Sequence, residues 1–253
     1  MRQTPSVDAN LRRQHGGHGD PVLLLLHGLG GTGDVWSGCL PLLAQRWPGR
    51  WVVPDLPGHG GSAPLPQYTF DGLAAAIAPL VAGAGRVVVL GHSLGGVVGL
   101  SLAGAHRTVE RVIGLGIKVS WSDDDLAKAG ALATRPPAWF DTRDEAAARY
   151  LRVSGLSGLV GPRDSIVDPG LREEDGRWRL ALDPRAFGVG APDMAGLLAG
   201  TGAAVILARG EHDPMNTDEQ LATLGAPAVT LTGLGHSAHV EDPAAVLALL
   251  DAG

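Results

Sequence analysis

One serine lies in the turn whose composition is most typical of nucleophilic chemistry. Residues 87–90 are apolar, Gly91-His92-Ser93-Leu94-Gly95-Gly96 follows them, and residues 97–105 have the composition of a helix. A Gly-x-Ser-x-Gly turn holds its serine in a strained conformation, and the small glycines let strand and helix pack closely. The pattern predicts that Ser93 stands at the tip of the turn, where the helix N-terminus favours a developing oxyanion. Because such a pattern also arises by chance in a chain with 38 glycines, its chemical partners must be found.

A serine nucleophile needs a histidine base, because a hydroxyl group is weakly nucleophilic at neutral pH. His236 follows the last predicted strand, in the turn Gly233-Leu234-Gly235, from which a loop can bring an imidazole over the sheet edge. We therefore predict that His236 is the general base. The competing histidines are interpreted as structural: His27, His59 and His92 in loops, where they bond to backbone or line the pocket, His106 at an exposed helix end, and His239 at the start of a helix.

The base in turn needs a carboxylate that fixes its tautomer and stabilises its charged form. Asp213 follows a predicted strand and precedes His236 in the chain, with Glu211 as a competitor beside it. The cluster Asp123-Asp124-Asp125 follows an earlier strand and offers a second position. We predict Asp213 as the acid, with Asp123 or Asp124 as the alternative. The aspartate cluster is otherwise typical of a solvated helix start.

Strands and helices alternate along most of the chain, which indicates an α/β fold with a mostly parallel sheet. Residues 7–12 are expected to form an edge strand before a turn at residues 15–20. The predicted buried strands are residues 22–26, 51–55, 87–90, 111–117, 203–208 and 228–231, and the predicted helices are residues 36–46, 70–82 with a kink at Pro79, 97–105, 217–224 and 243–250.

The alternation lapses between residues 118 and 190, where the chain is more charged. A helix is predicted from Asp144 to Val153, and Asp175-Gly176 between two short runs predicts a hairpin turn. No low-complexity linker marks either end of the segment, so we interpret it as an insertion over the sheet. The expected organisation is a core of residues 1–117 and 191–253 with a lid insertion at 118–190. Its larger apolar residues are expected mostly to form a small core of the insertion: Trp121, Trp139, Phe140, Leu156 and Trp178.

Composition narrows the classes of partner. The chain has 253 residues, is 45% hydrophobic and carries a net charge of −6, without a Lys/Arg cluster of the kind that binds phosphates. We therefore expect a small-molecule substrate, no nucleic acid and no membrane. The lone Cys39 cannot form an internal disulfide, and the absence of an apolar leader-like segment predicts a cytoplasmic protein. The oligomeric state is not readable from the sequence.

Neither a metal nor a cofactor is expected. His15 and His18 lie in a glycine-rich turn with no third ligand nearby, which is typical of solvated loop residues. Gly28-Leu29-Gly30-Gly31 follows a strand but does not continue as the Gly-x-Gly-x-x-Gly pattern of dinucleotide-binding folds.

Five segments together resemble the α/β-hydrolase superfamily. Each lies at the end of a predicted strand, and the order serine, aspartate, histidine is the order that this family uses. The resemblance implies the α/β-hydrolase fold, with helices on both faces of the sheet and an inserted lid. It also implies an oxyanion hole made by the backbone N–H groups of Leu29 and Leu94. The segments are His27-Gly28-Leu29-Gly30-Gly31, Asp55-Leu56-Pro57-Gly58-His59-Gly60-Gly61-Ser62, Gly91-His92-Ser93-Leu94-Gly95, Gly210-Glu211-His212-Asp213 and Gly235-His236.

The identity of the nucleophile reduces the number of reaction types that the resemblance implies. Family members that open epoxides or displace halide use a carboxylate at this position, whereas this chain has Ser93. We therefore predict hydrolysis of an ester, thioester or lactone through an acyl-serine intermediate. The resemblance also permits a C–C bond hydrolase of the ring-cleavage-product type, a perhydrolase, or a receptor-like member that binds a ligand.

Overall fold

A seven-stranded sheet forms the centre of the molecule in the computed structural model, which describes residues 10–251. The strand order is β1-β3-β2-β4-β5-β8-β9, and every neighbouring pair is parallel except β1 with β3. A separate antiparallel hairpin pairs β6 with β7. The strands are β1 (Arg13–Gly16), β2 (Val22–Leu26), β3 (Trp51–Pro54), β4 (Val87–His92), β5 (Val109–Leu115), β6 (Leu171–Glu174), β7 (Arg177–Leu180), β8 (Ala204–Gly210) and β9 (Ala228–Leu231).

The apolar run of β2 forms a strand because both of its faces are covered. All five of its residues are buried, and it pairs in parallel with β3 on one side and β4 on the other. Val22, Leu24 and Leu26 pack into one hydrophobic cluster, while Leu23 and Leu25 pack into the other. This alternation is the signature of a strand buried between two helical layers. Each fully buried leucine contributes about 1.5–3 kcal/mol to folding.

Helices cover both faces of the sheet. Residues of α2, α3, α6 and α7 join the first cluster, and residues of α1, α5, α8 and α9 join the second. The α/β-hydrolase architecture expected from the sequence is thereby confirmed. No helix within residues 10–251 has the length and apolarity to cross a bilayer. The helices are α1 (Leu40–Arg46), α2 (Phe70–Ile77), α3 (Leu94–Ala105), α4 (Asp123–Ala133), α5 (Arg143–Val153), α6 (Met194–Gly200), α7 (Asp218–Ala222), α8 (Ala238–Glu241) and α9 (Pro243–Ala248).

Several boundaries differ from those predicted. The prediction of an edge strand at residues 7–12 is wrong for residues 10–12, and residues 7–9 lie outside the described part of the chain. The strand that forms, β1, begins at Arg13 and reaches into the expected turn, because its antiparallel pairing with β3 leaves one edge exposed and admits polar residues. The helix expected at residues 36–46 begins only at Leu40, with Pro41 in its first turn. At Pro79 the α2 helix has already given way to a 3₁₀ turn, since proline lacks the N–H that the helix needs.

The connection between β5 and β8 carries α4, α5 and the β6–β7 hairpin. The hairpin turns at Asp175 and Gly176, whose φ angles of 52° and 77° match the turn predicted there. The expectation that this segment has its own core is wrong. Leu156 is buried in the same cluster as the sheet residues, and Phe140 and Trp178 pack against that cluster, whereas Trp139 is 38% exposed. The apolar residues of α5 and the turns after it are buried against the sheet, so the segment shares the main core.

Candidate active site

The turn between β4 and α3 holds Ser93 in a strained conformation. Its φ of 49° is in the left-handed region, and its N–H donates a hydrogen bond of 2.7 Å to the carbonyl of Leu115. A Cβ atom on Gly91 would lie 2.4 Å from the carbonyl carbon of Gly95, so only glycine lets strand and helix pass this closely. A left-handed non-glycine residue costs about 1–3 kcal/mol, a strain that persists only where the surrounding structure over-determines it. The turn presents the half-exposed Ser93 side chain at the end of the sheet.

The loop after β2 lies directly against this turn. A Cβ atom on Gly28 would stand 3.3 Å from the Cβ of Ser93. The carbonyl of Gly28 accepts a hydrogen bond from the N–H of Gly31 at 3.1 Å, which closes the loop around Leu29. The Leu29 N–H has no hydrogen-bond acceptor within residues 10–251. The Leu94 N–H is in the first turn of α3, where helical N–H groups lack an internal partner. Two backbone donors therefore flank the serine turn.

Asp213 and His236 meet at the ends of β8 and β9. Nδ1 of His236 lies 3.1 Å from each carboxylate oxygen of Asp213. The Asp213 side chain is fully buried, whereas that of His236 is 19% exposed. Because a carboxylate only accepts, Nδ1 of His236 carries the proton in the neutral ring and Nε2 keeps its lone pair. Neither Nε2 nor the Oγ of Ser93 makes a hydrogen bond within the described part of the chain.

Gly116, directly after β5, makes the room for this pair. Its φ is 64°, and an added Cβ atom would lie 3.2 Å from both the Oδ2 of Asp213 and the Nδ1 of His236. The ends of β5, β8 and β9 therefore converge on one point. Gly116 was not among the site residues predicted from the sequence, although a glycine within the predicted strand 111–117 is a signal of close backbone approach.

His92 connects the serine turn to the histidine loop. Its Nε2 donates a hydrogen bond of 3.0 Å to the backbone carbonyl of His236. Its ring lies 4.6 Å from that of His236 and 4.4 Å from that of His239, centroid to centroid. Burial holds the pKa of His92 well below its usual range, and the His239 and His236 rings lower it further. His92 is therefore a neutral donor. The sequence indicated a backbone bond for this residue but not that its partner is the carbonyl of His236.

His27 and His59 are structural, as expected. Nε2 of His27 accepts the N–H of Leu56 at 2.8 Å, while Nδ1 lies 2.8 Å from the Gly28 carbonyl. Burial lowers the pKa of His27 to about 4. Nδ1 of His59 lies 3.0 Å from the carbonyl of Pro57, and burial together with the neighbouring His27 lowers its pKa to about 3. Both rings brace the two loops that follow β2 and β3.

Three competing carboxylates have other partners, and Asp123 is exposed in the first turn of α4. Asp124 pairs with Lys128 at 2.5 Å on an exposed helix face. Asp125 completes a capping box with Ser122 at the start of α4. Glu211 accepts the N–H of Gly233 at 2.7 Å. The aspartate cluster is thus the solvated helix start that the sequence allowed, and the carboxylate in contact with His236 is Asp213. Within residues 10–251, no three His, Cys, Asp or Glu side chains are grouped as a metal site requires.

Comparisons with known proteins agree with this architecture. A model of the alpha/beta hydrolase family matches residues 23–249. Lipase LipV of Mycobacterium tuberculosis is 31% identical over 187 residues, covering 70% of this chain and 68% of that protein. The magnesium-chelatase 30 kDa subunit of Rhodobacter capsulatus is 38% identical over 104 residues, which cover 38% of this chain and only 34% of that protein.

Among solved structures, the thioesterase domain from the curacin biosynthetic pathway has a TM-score of 0.74 at 21% identity, covering 96% of this chain and 99% of that one. Identity this low shows a common fold alone. The family model, however, spans most of the chain, and LipV aligns over more than two thirds of its own length. The chain therefore belongs to the alpha/beta hydrolase family.

Proposed function

We propose that this chain is a serine hydrolase in which Ser93 is the nucleophile, His236 the general base and Asp213 the residue that orients the base. The observation that carries the proposal is the buried Asp213 carboxylate on Nδ1 of His236, 3.1 Å from each oxygen, together with the strained Ser93 at the end of β4. Ser93 directly follows His92, whose ring donates a hydrogen bond to the His236 carbonyl. The pairing with Asp213 leaves Nε2 of His236 as the proton acceptor that a serine nucleophile requires. Hydrogen bonds between base and nucleophile are often long before substrate binds and tighten in the complex.

The proposed reaction is acyl transfer in two halves. His236 takes the hydroxyl proton as Oγ of Ser93 attacks the carbonyl carbon, and the N–H groups of Leu29 and Leu94 stabilise the resulting oxyanion. The protonated His236 then gives its proton to the departing alcohol or thiol, which leaves an acyl-serine. Water attacks this ester with His236 again as base, and the acid is released. One oxyanion-hole donor of this kind is worth about a hundredfold to a thousandfold in rate.

The substrate proposed is a small-molecule ester, thioester or lactone. A lipase is among the relatives and a thioesterase domain among the structural neighbours, and both names describe acyl transfer by those proteins. Residues 118–190 are proposed to act as the lid over the site, because Val153 packs against Gly30 and Ser237 Oγ donates to the Gly155 carbonyl at 3.2 Å.

The proposal is tested with a fluorophosphonate probe and p-nitrophenyl butyrate. We expect labelling of Ser93 and steady turnover, with turnover reduced at least about a thousandfold in Ser93→Ala. Asp213→Asn should lose turnover to a comparable degree, because the amide favours the wrong tautomer of His236. A matched control, Ser122→Ala, alters an exposed helix cap and leaves turnover unchanged.

Absence of both labelling and ester turnover would refute the acyl-serine mechanism. Turnover of a vinylogous 1,5-diketone with inert esters would instead indicate a C–C bond hydrolase. Stoichiometric ligand binding that survives Ser93→Ala, with no product formed, would indicate a receptor.

A further inference from the structure

An apolar cavity of about 410 Å³ lies within the connection between β5 and β8. This volume falls within the range of small-molecule sites. Its walls come from α4, α5, β7 and the 3₁₀ turn Pro184–Val189. The apolar side chains that line it are Leu132, Phe140, Val153, Leu180, Leu182 and Phe187.

Val153 separates this cavity from the loop that follows β2, and neither Ser93 nor His236 lines the cavity. Val153, the last residue of α5, lines the cavity, and its Cγ1 lies 2.6 Å from where a Cβ atom on Gly30 would stand. Gly30 follows the proposed oxyanion donor Leu29. Two residues after the helix, the carbonyl of Gly155 accepts the hydroxyl of Ser237, the neighbour of His236. The end of α5 is therefore held between the two loops that the proposed mechanism uses.

Arg149 brings a positive charge into the same cavity. It lies four residues before Val153 on α5, so both side chains share one helix face about 6 Å apart along the axis. Arg149 is half-buried and lines the cavity, and its side chain forms no hydrogen bond, ion pair or ring contact within residues 10–251. Arg143, one turn and a half earlier, is by contrast paired with Asp168. A partly desolvated guanidinium without a partner is costly, and a carboxylate that binds it through two hydrogen bonds relieves that cost.

The surroundings of Arg149 are also cationic. Arg135 lies at the exposed rim of the cavity, and its side chain likewise has no partner in the described residues. An adjoining cavity of about 570 Å³, which shares Pro137, Leu182 and Pro184, is lined by Arg172 and Arg179. Its one carboxylate, Asp183, is already bonded to Arg185 and Tyr68. Arg172 donates to the Gly60 carbonyl, and Arg179 is paired with Glu174. The positive charge available to an anion here is therefore that of Arg149 and Arg135.

We propose that Arg149 binds a terminal carboxylate on the acyl chain of the substrate, so that the preferred substrates are monoesters or monothioesters of dicarboxylic acids. The inference rests on the proposed function. The acyl group is the part that stays on Ser93 beside Leu29, and the proposal places its chain in the cavity on the far side of Val153 from Gly30. The apolar walls take the methylene groups, and Arg149 fixes the length at which a carboxylate is recognised.

The test compares p-nitrophenyl monoesters of succinate, glutarate and adipate with the neutral p-nitrophenyl esters of the same chain length. The wild type is expected to favour one of the charged esters at least about tenfold in kcat/KM, because a hydrogen bond between charged groups is stronger than one between neutral groups. Arg149→Gln should lose that preference mainly through KM and leave the neutral esters within about twofold, and Arg149→Lys should keep part of it. Raising the salt concentration should shrink the preference.

Arg152→Gln is the matched control, because Arg152 is exposed on the same helix and does not line the cavity. It should behave as the wild type does, and thermal melts of all variants check folding. Calorimetric titration with glutarate and valerate gives a readout that does not need turnover. We expect glutarate or its homologues to bind the wild type more tightly than Arg149→Gln.

The two proposals fail in different ways. Ser93-dependent turnover of neutral esters without any preference for charged ones, or an equal loss of both in Arg149→Gln, would overturn the carboxylate proposal and leave the serine hydrolase intact. Loss of all ester turnover and labelling would overturn the serine hydrolase. In that case, dicarboxylate binding that is indifferent to Arg149→Gln overturns the carboxylate site as well.

Discussion

At the scale of single residues, neutral histidines organise the site. His92 donates to the His236 carbonyl, and His27 accepts from Leu56 while it contacts the Gly28 carbonyl. His239 lies between Trp36 and His92, with ring centroids 4.5 and 4.4 Å away. Each ring is buried, and burial disfavours the charged form of an imidazole. These rings therefore hold the loops through shape and neutral hydrogen bonds, while the proposed base His236 remains partly exposed.

Replacing His92 should impair activity through the placement of His236. His92→Phe removes the donor to the His236 carbonyl and leaves that oxygen without its partner, at a cost of about 1–3 kcal/mol. We expect kcat of the ester assay to fall about tenfold or more with KM nearly unchanged. His92→Gln, which keeps an N–H donor, should recover part of kcat.

The control for this change is His106→Phe, because His106 is exposed at the end of α3. It is expected to leave kcat unaffected. If His92→Phe retained the full kcat, or if His92→Gln were as slow as His92→Phe, a positioning role through this hydrogen bond would be excluded.

At the scale of elements, the close approach of α3 to the sheet decides where the serine turn lies. A Cβ atom on Gly95 would stand 2.5 Å from the carbonyl oxygen of Leu26, which is backbone and cannot move aside without distorting β2. The helix is otherwise buried along most of its length. The glycines of the turn are thus required for helix–sheet packing as well as for the serine conformation.

Gly95→Ala and Gly130→Ala should have opposite effects on stability. The first forces the backbone of α3 away from β2 and is expected to lower the free energy of unfolding by about 3 kcal/mol or more, at the upper end of overpacking costs. The second lies within α4 with no atom within 4 Å of the added Cβ, and should raise it by about 0.5–1 kcal/mol. Urea titrations measure both. Equal stability of the two variants would show that α3 can shift without cost.

At the scale of the whole molecule, the buried histidines make folding sensitive to pH. Burial lowers the pKa of His27 to about 4 and those of His59 and His239 to about 3, whereas an unfolded histidine has a pKa of about 6.5. Below pH 6.5 these histidines bind protons in the unfolded chain but stay neutral in the folded chain. The contribution of these neutral histidines to the free energy of unfolding is therefore complete above pH 6.5. It is lost as the pH falls toward 4, by about 1.4 kcal/mol per pH unit for each histidine.

The urea concentration at the unfolding midpoint is accordingly expected to decrease as the pH is lowered from 7.5 to 5. His239→Phe should make this fall shallower, because it removes one of the titrating rings. At pH 7.5 the same variant should be at least as stable as the wild type, since neither ring nitrogen of His239 has a partner within the described residues. A midpoint that is flat from pH 7.5 to 5, or a slope that His239→Phe leaves unaltered, would contradict this origin.

The family and the order of the candidate residues follow from the sequence because each motif is local. Each motif can be recognised from a few residues beside a strand end: the Ser93 turn, the loop around Leu29 and the turn before His236. The motifs follow one another in the same order as the strands along the chain. The roles assigned to Ser93, His236, Leu29 and Leu94 remain predictions that the experiments above address.

Contacts between distant segments were decided only by the tertiary structure. Asp213 rather than Asp123 or Asp124 contacts His236 because the ends of β5, β8 and β9 converge at Gly116, which depends on the order of strands in the sheet. The bond from His92 to the His236 carbonyl joins residues 144 apart in the chain. The position of the unpaired Arg149 side chain in the cavity likewise depends on the packing of α5 against Gly30. No local periodicity encodes such contacts, because each is set by how separate elements pack together.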